Sequence, residues 1–298
     1  MKVIQDFSEY EILDMASGQK LERWNEVILS RPDPQIIWTD KKNKSLWDSI
    51  DAKYTRSKTG GGEWYVFNKH MKDSWEIRWK DLTFNLKLMG FKHTGLFPEQ
   101  SYNWDIIRVK VSNEVKKGRT VKVLNLFAYT GGASVAALSA GAEVVHVDSS
   151  RGMTDWAKEN VRSSNLQDRP IRFLVDDVVK FVEREIRRGN KYDIILMDPP
   201  SFGRGSNKEI WNIENDLYNL VKLCSEILSD DPLMFLINSY TTGLSMNVLE
   251  DVLKLTVNRR FNGFITSDEL GIPMKDSDLI LPCGIFARWE KEKYEDEQ

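Results

Sequence analysis

From residue 121 onward the chain repeats one pattern, and that pattern limits its fold more than anything else in the sequence. Apolar runs "VKVLNLF" (121–127), "EVVHVD" (143–148), "IRFLV" (171–175), "YDIILMD" (192–198) and "LMFLINSY" (233–240) alternate with stretches of helical periodicity. Those stretches are "GASVAALSAG", "GMTDWAKENVRSS", "DVVKFVEREIRR", "IENDLYNLVKLCSEIL" and "MNVLEDVLKLTV". In the fourth, Leu217, Leu220, Val221, Cys224 and Leu228 recur at the spacing of one helix face. Strands that are apolar without alternating are buried on both sides, and helix-length links between them make right-handed parallel crossovers. The expectation is an α/β fold: a doubly wound, mostly parallel, Rossmann-like sheet of seven strands. Its last two members, in "FNGFITSDEL" and "LILPCGIFARW", are joined by "GIPMKDSD", too short for a crossover helix, so they form an antiparallel hairpin at one edge.

The first 115 residues lack this rhythm. Short β-like pieces such as "QIIW", "EWYVF" and "WEIRW" sit between turn-rich connectors. Two domains follow: residues 1–115, a small β-rich region and a candidate RNA-substrate domain, and residues 116–298, the ligand-binding domain. The most loop-like connector carries six basic residues over 41–60 (Lys41, Lys42, Lys44, Lys53, Arg56, Lys58) against Asp48 and Asp51, a local balance of +4. Such a run is either a solvated surface or a contact for a phosphate backbone. With a net charge of −3 for the whole chain, any nucleic-acid contact must be a local patch.

In an open α/β sheet, ligands sit beyond the carboxyl ends of the strands. The first strand runs into "NLFAYTGGAS", where Gly131 and Gly132 open a helix whose free N–H groups face the crevice. The second ends in Asp148, placed to accept hydrogen bonds from both hydroxyls of a ribose; its competing role is to cap the next helix with Ser149 and Ser150. The third ends in Asp176 and Asp177, of which one can meet an adenine amino group and the other cap a helix. A pyrophosphate site needs G-x-G-x-x-G, and "AYTGGAS" lacks it. An adenosyl ligand without phosphates fits better than NAD. S-adenosylmethionine is the expected cofactor, because acidic strand ends favour its sulfonium cation.

The fourth strand ends in "DPPSFGRGSNK". Pro199 and Pro200 stiffen the backbone and remove two N–H donors, so Asp198 and the Pro199 carbonyl form a rigid edge of acceptors. Such an edge holds an amine with its lone pair aimed at an electrophilic methyl group. Asp198, Pro199, Pro200 and Ser201 are the candidate catalytic residues. In the following loop, Phe202 is placed to stack on a base or to pack inward, and Arg204 and Lys208 to contact phosphates.

Together "LNLFAYTGG", "VHVDSS", "VDDVVKFV" and "DPPSFGRG" resemble the class I S-adenosylmethionine-dependent methyltransferases. In detail they are similar to the ribosomal-RNA large-subunit group that contains guanine-N7 and cytosine-C5 enzymes of bacterial 23S rRNA. The resemblance spans roughly residues 85–290 and takes in "HTGLFPEQ" (93–100). It implies that Asn125 and the run Phe127, Ala128, Tyr129, Thr130, Gly131 and Gly132 line the methionine moiety. Asp148 and Ser149 would hold the ribose, Asp177 or Asp176 the adenine, and Phe97 and Gln100 would close the pocket beside Asp198. In the cytosine-C5 enzymes a cysteine nucleophile follows the fifth strand; here that place reads "NSYTTGLS". Transfer to a nitrogen of an RNA base, in ribosomal RNA, is therefore the expectation. The alternatives are a protein side-chain amide or small-molecule substrate, a non-catalytic binder of S-adenosylmethionine, or a nucleotide-dependent oxidoreductase.

Cys224 and Cys283, both in apolar stretches, suit a reducing compartment and make no disulfide framework. With His70, His93 and His146 scattered, no metal is expected. The opening "MKVIQDFSEYEILD" carries acids where a signal peptide needs apolar residues, and no apolar run reaches membrane-spanning length. A cytoplasmic enzyme with no membrane partner is expected.

Overall fold

The computed structural model describes residues 1–4, 6–57, 61–204 and 210–294. It divides into two compact units. The N-terminal unit holds Lys2–Tyr102 together with Gly271–Cys283; the other holds Met1, Asn103–Leu270 and the chain from Gly284 on. The division thus falls at 102/103 rather than at residue 115. The cause is a helix that the sequence pattern did not announce, α1 (Ser101–Lys116). Its Trp104 and Val115 pack beneath Gly132 and Gly141 of the second unit.

The second unit carries the expected alternation. Its strands are β1 (Lys122–Leu126), β2 (Glu143–Asp148), β3 (Ile171–Val175), β4 (Ile194–Met197) and β5 (Met234–Ser239). Between them run α2 (Gly132–Ser139), α3 (Arg151–Ser163), α4 (Val178–Arg188), α5 (Ile213–Glu226) and, after β5, α6 (Met246–Leu255). Two long strands, β6 (Phe264–Pro273) and β7 (Ile280–Glu290), close the edge, and their far ends run into the segment counted with the N-terminal unit. The order across the sheet is β6-β7-β5-β4-β1-β2-β3, with β7 antiparallel to β5. A two-residue strand, Lys2–Val3, adds to β6 as an eighth member.

Helices cover both faces. Leu124, Leu126, Ile195, Met197, Phe235 and Ile237 pack with Phe181, Val182, Leu217, Leu220, Val221, Leu249 and Leu253 from α4, α5 and α6 in one buried cluster. The other face of β1 meets α2, where the Asn125 amide donates to the Ser134 hydroxyl at 2.9 Å. None of the described helices is long and apolar enough to cross a membrane.

The N-terminal unit is a five-stranded sheet in chain order: Tyr10–Ala16, Gln19–Trp24, Val27–Pro32, Ala52–Arg56 and Gly62–Val66. A separate hairpin pairs Ser74–Trp79 with Leu82–Lys87. The first turn places Ser17 and Gly18 at φ 51° and 73°, the left-handed pair a two-residue hairpin requires. "QIIW" is not a strand. Ser17 and Gly18 donate to the carbonyls of Trp38 and Ile36, and the segment lies against that turn without joining a ladder. The basic stretch read as a loop contains the fourth strand and a short 3-10 turn, Lys44–Asp48.

A buried ion cluster crosses this sheet. Glu22, wholly buried, accepts from Arg31 at 2.6 and 2.7 Å and from the Tyr10 hydroxyl at 2.7 Å, with Lys20 at 3.8 Å. Burial alone would push the Glu22 carboxyl up, but the charges of Arg31 and Lys20 and the bonds from Arg31 and Tyr10 outweigh it. The group sits at about 2 instead of 4.5. A carboxyl lowered by folding stabilises above its unfolded pKa and loses that contribution as pH falls through the folded one. Urea unfolding should therefore show stability falling between pH about 4.5 and about 2. Glu22→Ala, which strands the buried Arg31 charge, should cost about 3 to 5 kcal/mol at neutral pH and abolish that acid dependence.

Candidate functional site

The site is set by register. Leu126 of β1 is paired with Val147 of β2 and Met197 of β4, and Met197 with Ile237 of β5. The residues that follow — Phe127, Asp148, Asp198 and Asn238 — therefore stand at one level along one edge, Asp148 as the last residue of β2 and Asn238 one short of the end of β5.

The loop after β1 is wound tightly: Phe127, Tyr129 and Gly131 stand at φ 52°, 51° and 84°. Two of these are not glycine, and such backbone persists only where its surroundings hold it. Ala128 N–H donates to the Val147 carbonyl at 3.1 Å and Gly131 N–H to that of Ala128 at 3.0 Å. The Asn160 amide reaches the Thr130 carbonyl at 2.8 Å. The two glycines have separate reasons. Gly131 needs the left-handed backbone and the room, since a Cβ there would lie 3.0 Å from that of Ala157. A Cβ on Gly132 would meet the Trp104 ring at 2.5 Å.

Asp148 is tied into the same loop. Its two oxygens accept one backbone bond each at 2.8 Å, from Tyr129 N–H and Ser150 N–H. A carboxylate oxygen has two acceptor sites, so each keeps one for a further donor. Burial pushes this carboxyl above the usual aspartate range, and the two backbone bonds only partly oppose it. The cap of α3 is Ser150, through Met153 N–H, with Ser149 exposed beside it. Below, Ser134 links Asn125 to His146 Nδ1 at 3.0 Å, so the amide nitrogen of Asn125 is taken by α2. Burial holds His146 neutral, its pKa down at about 3.

The acids after β3 divide their roles. Asp177 caps α4 by accepting from Lys180 N–H at 2.9 Å, and Asp176 is ion-paired with Arg184.

After β4, Asp198 N–H reaches the Leu126 carbonyl at 3.4 Å, joining this edge to the end of β1, where the loop begins. Three outside groups hold the edge. The Trp211 indole donates to the Pro200 carbonyl at 2.7 Å, Ile213 N–H to that of Ser201 at 3.1 Å, and the Ser201 hydroxyl pairs with that of Thr241 at 2.7 Å. No donor among the described residues takes the Pro199 carbonyl. Trp211 belongs to a hairpin, Phe202–Arg204 paired with Ile210–Asn212, in which it lies opposite Gly203. Its ring rests on Phe127 at 5.1 Å between centroids. Phe202 is exposed rather than packed inward. Lys208 lies outside the described residues, as does the side chain of Arg204. Phe97 and Gln100 belong to the N-terminal unit, in and before a single turn, Pro98–Gln100.

Trp104, Trp211 and Thr241 escaped the sequence reading. Nothing local marks them: their partners lie 11 to 84 positions away along the chain for Pro200, Ser201, Phe127 and Gly132 taken together, and only the fold brings them in.

A family model described as S-adenosylmethionine-dependent methyltransferase matches residues 35–259. The ribosomal RNA large subunit methyltransferase K/L of Pseudoalteromonas atlantica is 36% identical over 231 residues, 74% of this chain and 28% of that protein. The protein of the same name from Syntrophotalea carbinolica is 29% identical over 194 residues, 64% of this chain and 26% of that one. The chain thus spans about a quarter of the length of these curated relatives. Among solved structures, the SAM-dependent methyltransferase from Agrobacterium tumefaciens matches with TM-score 0.92 and 34% identity over 97% of this chain and 93% of that one. SMU.776, crystallised with SAH, shares the fold at TM-score 0.69 and 19% identity, covering 96% of this chain and 76% of that one. The family model covers most of the chain, and the sheet, the left-handed loop and the strand-end acids agree with it: the chain belongs to the S-adenosylmethionine-dependent methyltransferase family, with S-adenosylmethionine as its cofactor.

Proposed function

We propose that this methyltransferase acts in the cytoplasm on a nitrogen of an RNA base, in ribosomal RNA. The observation that carries the reading is the junction of Asp198 with Leu126, the last residue of β1, which sets an acceptor edge beside the start of the cofactor loop. Bound S-adenosylmethionine supplies an electrophilic methyl group. The chain's own residues bind, orient and hold. Asp148 offers two spare acceptor positions to the ribose hydroxyls, and Phe127–Gly132 lines the methionine portion. Asp177 is the acid for the adenine amino group, since Asp176 is already paired with Arg184. Asp198 and the Pro199 carbonyl accept from an exocyclic amine, or position a ring nitrogen that has no proton to lose. Phe202, Arg204 and Lys208 meet the RNA.

The names of the curated relatives support ribosomal RNA as the substrate class. The place after β5 reads Asn238, Ser239, Tyr240, Thr241, with no thiol. Cys224 is buried in α5 and Cys283 belongs to the N-terminal unit, and burial pushes both thiols up, away from the nucleophilic thiolate. This favours direct transfer to nitrogen over covalent attack on a pyrimidine. A tritiated-methyl assay on deproteinised ribosomal RNA and on lysate protein tests the reading. Acid-stable label in a nitrogen-methylated nucleoside is expected, and label in protein alone overturns it.

Four variants follow. Asp148→Ala should weaken S-adenosylmethionine binding by about 1.5 to 3 kcal/mol in calorimetry. In the unmodified chain the affinity should decline as pH falls, starting above the usual aspartate range, because a protonated carboxyl loses an acceptor. Asp198→Ala should lower kcat roughly 100-fold while the cofactor Kd moves by no more than about a factor of three. Trp211→Phe keeps the ring on Phe127 but removes the donor to Pro200, and should reduce kcat about fivefold, the worth of one hydrogen bond. Trp211→Ala should reduce it further.

A further inference from the structure

We propose that the edge of the N-terminal sheet, where Tyr65 and Phe67 share a face with Lys53 and the chain runs on to Lys69 and Lys72, is a stacking platform for single-stranded RNA. The inference rests on RNA being the substrate and concerns residues other than those assigned to the methyl transfer.

Gly62–Val66 is the edge strand of its sheet, paired on one side with Ala52–Arg56. In that register Tyr65 stands opposite Lys53 and Trp64 opposite Tyr54. Phe67 N–H donates to the Asp51 carbonyl at 2.8 Å, which carries the ladder one step past the strand. Tyr65 and Phe67 therefore project from the same face, two residues and about 6.7 Å apart. The opposite face is the anchored one. Trp64 meets Tyr54 edge-on at 5.4 Å and donates its indole N–H to the Phe91 carbonyl, and Tyr54 is buried. The strand thus has a packed side that holds it and an aromatic side that the fold does not use: Tyr65 is 51% exposed and Phe67 57%. Exposed aromatic rings in a row are the sign of a surface with a partner.

Charge identifies the partner. Over residues 51–73, Lys53, Arg56, Lys58, Lys69 and Lys72 stand against Asp51, Glu63 and Asp73, a balance of +2 in a chain whose net charge is −3. The Asp51 carboxylate is already engaged, accepting from Ile28 N–H at 2.7 Å and from the Asn68 amide at 2.6 Å. A polyanion with flat apolar faces satisfies both halves of the surface. Paired bases offer no free faces, so the strand must be single. The basic residues Lys41 and Lys42, by contrast, are directed elsewhere in the unit, onto the Trp47 ring and the Lys275 carbonyl.

Fluorescence anisotropy of the full chain with a labelled oligouridylate of about 12 nucleotides tests this. Tyr65→Ala and Phe67→Ala should each raise Kd roughly 5- to 100-fold, Tyr65→Phe should restore binding, and Tyr65→Leu should not. Lys69→Gln and Lys72→Gln should each reduce the slope of log Kd against log salt by about 0.7. Thermal melting and S-adenosylmethionine affinity should stay unchanged in all of them. If the unmodified chain labels ribosomal RNA and the alanine variants bind the oligomer as tightly as it does, the platform is disproved while the RNA reading stands. The platform falls equally if the unmodified chain methylates RNA without binding the oligomer. It also falls if the variants instead dissociate a dimer in light scattering, which would make this edge a contact between two copies. Label in protein alone, with no oligomer bound, overturns the RNA reading itself.

Discussion

Four strands held in one register are the constraint on which this site depends. With Leu126, Val147, Met197 and Ile237 in register, Phe127, Asp148, Asp198 and Asn238 come to one level along one edge of the sheet, where the adenosyl group and nucleophile are proposed to meet. A shift of one residue in β4 would exchange its two buried faces and carry Asp198 away from the end of β1. Sheet packing and site geometry are thus one requirement, met by the apolar contacts of β1, β4 and β5 with α4, α5 and α6.

On that edge, the protein holds its irregular backbone with side chains from elsewhere. Asp148 clasps Tyr129 N–H, Asn160 holds the Thr130 carbonyl, and Trp104 supports the start of α2. Trp211 joins the two halves, its ring on Phe127 and its N–H on Pro200. Positioning is the main contribution a protein can make to methyl transfer, because the cofactor carries the reactive group. A loop with three left-handed residues, fixed on several sides, delivers positioning.

The N-terminal unit solves a different problem. Its sheet buries Glu22, Arg31 and Lys20, an arrangement that costs desolvation and stabilises only when every partner is present. One edge of the same sheet leaves Tyr65 and Phe67 in solvent. The unit therefore combines a paired, buried ion cluster with an aromatic rim unused by its own packing.

The alternation after residue 121, the hairpin at the edge and the acids at the strand ends were all legible in the chain, because periodicity, turn chemistry and strand termini are local properties. The sequence put a helix cap on one of Asp176 and Asp177 but could not say which; Asp177 takes it, and Asp176 is drawn instead to Arg184, one turn further into α4 than local capping reaches. The strands of the N-terminal unit were less legible, since "QIIW" has strand composition but bonds only to the Ser17–Gly18 turn and joins no ladder. The helix over 101–116, the Trp211 bridge and the reason for Gly132 could not be read from the sequence at all. Each depends on a side chain meeting a group distant along the chain, and such meetings exist only once the hydrophobic layers have closed and brought the two together.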